Sequence, residues 1–129
     1  MERREREGII LLVLSGRLVA GEEAATLRDA IKHLAVGPVN VILNMEGVDY
    51  IDSTGLGGLV ICYTSIRKAG GAVKLLNLSR RNIELLVLTK LETVFEVFND
   101  EQDAVNSFFP DRELKKFDIL AFVQSQNKA

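Results

Sequence analysis

The stretch Asp49-Tyr50-Ile51-Asp52-Ser53-Thr54-Gly55-Leu56-Gly57-Gly58 decides how the chain is read, because the hydrophobic period changes across it. Upstream, residues 39–44 alternate as a strand does. Downstream, Leu56, Leu59, Val60, Tyr63 and Ile66 recur at helical spacing. The stretch therefore reads as a short loop that delivers Asp52, Ser53 and Thr54 to a helix start. Side-chain oxygens of these types accept hydrogen bonds from the first free backbone N–H groups.

Working outward, residues 39–44 place Val39, Val41 and Leu43 on one face and Asn40, Ile42 and Asn44 on the other. Two asparagines are unusual in a sheet covered on both sides, so one face is expected to be partly open. Residues 9–14 form a continuous apolar run suited to an interior strand, closed by Ser15-Gly16-Arg17-Leu18. Before it, the charged residues 1–7 are either a frayed arm or a charged edge strand. Glu22 and Glu23 suit the first turn of a helix with Ala24, Leu27, Ile31 and Leu34 on one face, ended by Gly37-Pro38.

After the central helix, Gly70-Gly71 leads to a strand over residues 72–77, with Lys74 inside it. Ser79 and Asn82 begin a helix with Ile83, Leu86 and Val87 inward, and residues 93–98 read as a last short strand or extended segment. Asn99 and Asp100 cap a short helix with Ala104, Val105 and Phe108 inward. Strands alternating with helices imply right-handed crossovers and mostly parallel pairing. Residues 1–109 are read as one domain. Residues 110–129 form an extension whose Phe117, Ile119, Leu120, Phe122 and Val123 make a compact apolar cluster. Monomers avoid exposing such a patch, so it is expected to dock on the open sheet face, or on a second copy to give a homodimer, the alternative being a disordered tail.

Composition narrows the function classes. The 129 residues are 47% hydrophobic and 26% charged, as in a soluble globular domain. A net charge of −2 with interspersed signs argues against nucleic acid as a partner. The longest apolar run, residues 9–14, falls far short of the ~20 residues that span a bilayer. The charged start is unlike a signal peptide, so a cytoplasmic location and no membrane insertion are expected. One cysteine, Cys62, and one histidine, His33, leave little for a disulfide, and neither a metal nor another cofactor is expected. Cys62 reads as an inert helix thiol and His33 as a surface residue.

Chemistry at the central stretch is limited in the same way. Serine attack needs a neighbouring base, His33 lies mid-helix elsewhere, and the Gly-x-Ser-x-Gly elbow is absent. Gly55-Leu56-Gly57-Gly58 matches neither phosphate-binding glycine motif. No catalytic residue is assigned, and the chain is not expected to be an enzyme. Glycine inside a helix costs roughly 1 kcal/mol against alanine, so three in four residues need a reason. The reason is either close approach of another backbone or tight packing of helix on sheet. Ser53 is either a simple N-cap or a phosphoacceptor, since a helix N-terminus accommodates phosphate without unfolding.

Tyr50-Ile51-Asp52-Ser53-Thr54-Gly55-Leu56-Gly57, after a short strand, resembles the signature of STAS domains and, within them, of anti-sigma factor antagonists. Leu14-Ser15-Gly16-Arg17-Leu18, Arg67-Lys68-Ala69-Gly70-Gly71, Leu88-Thr89-Lys90-Leu91 and Val94-Phe95 resemble further family segments, and the likeness spans residues 4–108. The resemblance implies an α/β fold with a mixed sheet of four to five strands and about four helices mainly on one face. It also implies partner switching. The unphosphorylated antagonist binds an anti-sigma factor that is a serine kinase, which phosphorylates the serine matching Ser53 and lets go. A phosphatase then resets the cycle. Many phosphorylated members carry Asp at the position of Val19, where Glu22 or Glu23 could compensate.

The expected docking surface comprises Val19 and the loop to Glu23, then Asp52, Ser53, Thr54, Gly55, Gly57 and Gly58, and the outward residues Ile61 and Ser65. The alternative function is a STAS scaffold or accessory subunit of a signalling or membrane transport complex, without a sigma-factor role.

Overall fold

The computed structural model describes residues 1–18, 22–112 and 118–127. Strand β1 (Glu2–Arg6) turns back through Glu7 and Gly8, both at positive φ, onto β2 (Ile9–Leu18). A two-residue turn with both φ values positive twists as a hairpin requires. The charged N-terminal segment is thus an edge strand. It is held from outside as well, since Arg4 and Arg6 both engage Glu101 and Arg6 also donates to Gln102.

Strands β3 (Asn40–Ile51), β4 (Ala72–Leu76) and β5 (Val97–Phe98) complete a five-stranded sheet in the order β1-β2-β3-β4-β5. The β1–β2 pair is antiparallel and the other three pairs are parallel, giving a mixed sheet. The helices are α1 (Glu22–Leu34), α2 (Ser53–Lys68), α3 (Arg80–Leu88), α4 (Glu101–Asn106) and α5 (Ile119–Asn127), with a 3-10 turn over Leu91–Thr93.

The larger core lies on one face, where Leu27 and Ile31 of α1, Leu59 and Ile66 of α2 and Leu86 of α3 meet Leu12, Leu43 and Leu75 of the sheet. The second face is less open than the asparagines imply. There α4 brings Ala104 and Val105 onto Ile9, Leu11, Ile42, Leu76 and Phe98, with Phe108 and Phe109 alongside. Both asparagines are spent on nearby backbone: Asn40 Oδ1 accepts from Ala72 N and Asn44 Oδ1 from Glu46 N.

Lys74 is buried on this second face. Its ammonium donates to Ser107 O at 3.1 Å and Ser107 Oγ at 2.9 Å, pairs with Glu96 at 3.1 Å, and sits 4.4 Å from the Phe108 ring centre. A buried charge is tolerable only with such partners.

Two strand readings change. β3 runs on to Ile51, because bulges at Val13/Ser15 and Gly16/Arg17 let β2 follow it to the Leu18–Ile51 pair. The expected late strand shrinks to Val97–Phe98, since residues 91–93 wind into the 3-10 turn behind Lys90, whose φ is +61°. Phe95 then packs edge-on against Tyr63 of α2, the ring centres 5.4 Å apart. Gly71 is compulsory at the exit from α2, as a Cβ there would meet Val39 O at 1.6 Å.

In the extension, Ile119 packs against the larger core, on the helix side, and not on the second sheet face. The expected apolar cluster also includes Phe117, which lies outside the described residues.

Candidate functional site

Because β3 ends at Ile51 and α2 starts at Ser53, the loop between them is a single residue, Asp52. Asp52 is extended (φ −97°, ψ −176°) and its Oδ1 accepts from Gly55 N at 2.8 Å. Asp52 is therefore the N-cap, and Ser53 is the first residue of the helix. The expectation that Ser53 itself could cap is corrected. An aspartate one position earlier occupies the cap, and among the described residues the Ser53 hydroxyl has no hydrogen-bond partner.

Helical spacing divides α2 into two sides. Gly55, Leu56, Leu59, Cys62 and Ile66 are buried, and they anchor the helix to the sheet. Ser53, Thr54, Gly57 and Ile61 are exposed and form a stripe along the opposite side, with Gly58 half-buried beside it. Ile61, at 51% exposure, is one of the few large apolar residues left in solvent. A Cβ built on Gly57 or Gly58 meets nothing within 4 Å, so packing inside this chain does not require either glycine.

The structure thus brings together Asp52, Ser53, Thr54, Gly57, Gly58 and Ile61, with Gly55 beneath them. Val19 lies outside the described residues, as do Ala20, Gly21 and the side chains of Glu22 and Glu23. Ser65 joins Ile61 on the wall of a groove of about 380 Å³ between α1 and α2, which Arg28, Ile31, Lys32, Ala35 and Cys62 complete. That groove was not foreseen, because nothing in the sequence gives the spacing of two helices.

The groups excluded as catalytic sit apart. His33 is exposed on α1, where its Nδ1 lies 2.8 Å from Asp29 O. Cys62 is buried, and desolvation pushes its thiol up to about 12, against a smaller opposing effect of the nearby Arg28 charge.

At the carboxyl ends of the strands a second group appears that sequence reading missed. Arg17 of β2 lies with its guanidinium carbon 5.0 Å from the Tyr50 ring centre, and Arg81 of α3 approaches the same ring to 4.5 Å. Only the strand register, which pairs Arg17 with Tyr50, could have announced it.

The STAS domain family model matches residues 1–104. The chain belongs to the STAS domain family. It is 36% identical over 83 residues to the anti-sigma-B factor antagonist of Bacillus subtilis, covering 61% of this chain and 76% of that protein. The fold is that of SpoIIAA, an anti-sigma factor antagonist, in its unphosphorylated form (TM-score 0.72, 19% identity, 87% of this chain and 98% of that one). It also matches the phosphorylated form of this Bacillus cell fate determinant (TM-score 0.66, 20% identity, 83% and 97%). These relatives are regulatory binding proteins rather than enzymes. The same fold occurs in a sulfate transporter family protein from Wolinella succinogenes (TM-score 0.67, 24% identity, 75% and 81%). No helix among the described residues of this STAS domain is long and apolar enough to cross a membrane.

Proposed function

We propose that this STAS domain is a cytoplasmic anti-sigma factor antagonist that works by partner switching, with Ser53 as the phosphoacceptor. The observation that carries this reading is the Ser53 hydroxyl, exposed and without a partner among the described residues on the first turn of α2, because Asp52 takes the cap. In the unphosphorylated state an anti-sigma factor with serine-kinase activity docks over Asp52, Ser53, Thr54 and Gly55. It continues along Gly57, Gly58 and Ile61, and Val19, outside the described residues, is assigned to the same surface from the sequence. The open space over Gly57 and Gly58 lets its backbone come close.

The kinase transfers the terminal phosphoryl group of ATP to Ser53 Oγ, with loss of the hydroxyl proton and departure of ADP. The product carries about −1.5 to −2 charges beside Asp52, and this charge and bulk oppose docking. A separate phosphatase hydrolyses the ester and restores binding. The antagonist is the substrate of both enzymes. The α2 N-terminus receives the phosphate favourably, so the fold survives the modification.

The test is affinity capture with Ser53→Ala and Ser53→Asp side by side, followed by incubation of the captured kinase with ATP. The expected result is retention by Ser53→Ala, loss with Ser53→Asp, and phosphate on Ser53 of the wild type. Equal retention by both variants would overturn the switch. The fold shared with the Wolinella succinogenes transporter protein supports a second reading, an accessory subunit of a transport complex. Co-purification with transporter subunits, without phosphate on Ser53, would decide for it.

A further inference from the structure

Tyr50 has one guanidinium from β2 and one from α3 within cation–π distance, at 5.0 and 4.5 Å. The two guanidinium carbons are therefore no further apart than these distances laid end to end, about one Debye length at physiological salt. Arg4, Arg6, Arg80 and Arg112 all form ion pairs with carboxylates, Arg80 with Glu84 in the same helix. Among the described residues Arg17 and Arg81 have none, as is true of Arg3, Arg28 and Arg67; what sets Arg17 and Arg81 apart is that they share one ring. A guanidinium stacked on a ring keeps its in-plane N–H groups free, and these match a carboxylate two at a time.

The location gives the cluster its meaning. Arg17 and Tyr50 lie at the carboxyl ends of parallel strands, and Arg81 is in the first turn of the helix that follows β4. Asn82 fixes α3 there, its Nδ2 donating to Val48 O at 3.2 Å from a buried position. Ser53 follows Tyr50 by three residues, so their Cα atoms are at most about 11 Å apart. One standard protein interface covers both.

We infer that Arg17, Tyr50 and Arg81 form a carboxylate-reading site for an acidic segment of the protein that docks over the Ser53 turn. This inference deepens the proposed antagonist role, and it rests on that reading only for the identity of the docking protein. Arg and Tyr are the residue types that dominate binding energy at interfaces. Charge complementarity at this point also fixes the orientation of the partner on α2.

Two measurements test it. The first needs no partner: the chain, labelled with nitrogen-15, is titrated with a Glu-Glu-Leu-Glu-Glu peptide while arginine side-chain resonances are followed. The expected result is a saturable shift of Arg17 and Arg81 ahead of Arg3, Arg28 and Arg67. Equal shifts at all arginines, or saturation by inorganic phosphate at lower concentration than the peptide, would overturn the assignment.

The second uses the kinase captured by Ser53→Ala, whose affinity for Arg17→Gln/Arg81→Gln should fall about tenfold or more, with a shallower salt dependence. Unchanged affinity and salt slope would sink the inference and leave the Ser53 switch standing. Failure to capture any kinase would sink the switch, while the peptide titration still decides the cluster.

Discussion

Replacing Gly57 and Gly58 together by alanine separates folding from docking. Both residues lie beyond the first turn of α2. A Cβ on either one meets no atom within 4 Å, so the added methyl groups clash with nothing in the chain. Alanine is favoured over glycine in a helix interior by roughly 1 kcal/mol per residue. Adjacent positions do not face each other, so the two gains are nearly independent and total about 1–2 kcal/mol. For a domain of this length that raises Tm by roughly 3–10 °C, readable by calorimetry or as an increase in urea midpoint. Partner capture should move the other way, because two methyl groups now stand where the docking backbone approaches. A fall in Tm would refute the claim that these glycines are free of internal packing. A rise in Tm with capture unchanged would refute the claim that a partner uses the space.

The cap assignment predicts opposite behaviour of neighbours: Asp52→Ala costs about 1 kcal/mol in urea unfolding, whereas Ser53→Ala stays within about 0.5 kcal/mol of the wild type. Lys74→Met strips Ser107 of its donor in a buried setting and is expected to lose about 1–3 kcal/mol, with faster hydrogen exchange over α4. Native Cys62 should resist alkylation at pH 8 and react only on unfolding. Its buried thiol stays protonated up to about 12, while the thiol of the unfolded chain ionises near the ordinary 9.0. Between those values the unfolded state binds fewer protons, so stability falls as pH rises. Relative to Cys62→Ala the loss approaches about 1.4 kcal/mol per pH unit.

What the sequence discloses here follows physical range. The period change between residues 44 and 56, the glycine exit at Gly70-Gly71 and the caps at Ser79 and Asp100 are local, and they place α2, α3, α4 and the interior strands. The true length of β3 was hidden, because Glu46, Gly47 and Asp49 break the alternation. Two irregularities in the pairing with β2, each with its extra residue on the β3 side, keep the ladder going. Lys74 read only as a polar residue inside a strand, yet its long stem reaches Ser107 at the end of a helix, 33 positions on. The motif marked the Asp52–Ser53 turn as a helix start, but which of the two residues caps it needed backbone angles. Arg17 and Arg81 meet on Tyr50 only through register and helix placement, which no periodicity contains.

The single-residue junction between β3 and α2 bears on speed. Ile51 on one side and Leu56 on the other are anchored in the core, so the turn has no slack to rearrange when its charge changes. A signal written there needs no lid movement, domain rotation or local melting, processes that occupy microseconds to seconds. Response time would then belong to the enzymes that add and remove the mark, and to how fast the docked protein dissociates. Such a component can be rewritten many times without passing through a partly unfolded state that proteases or aggregation could exploit.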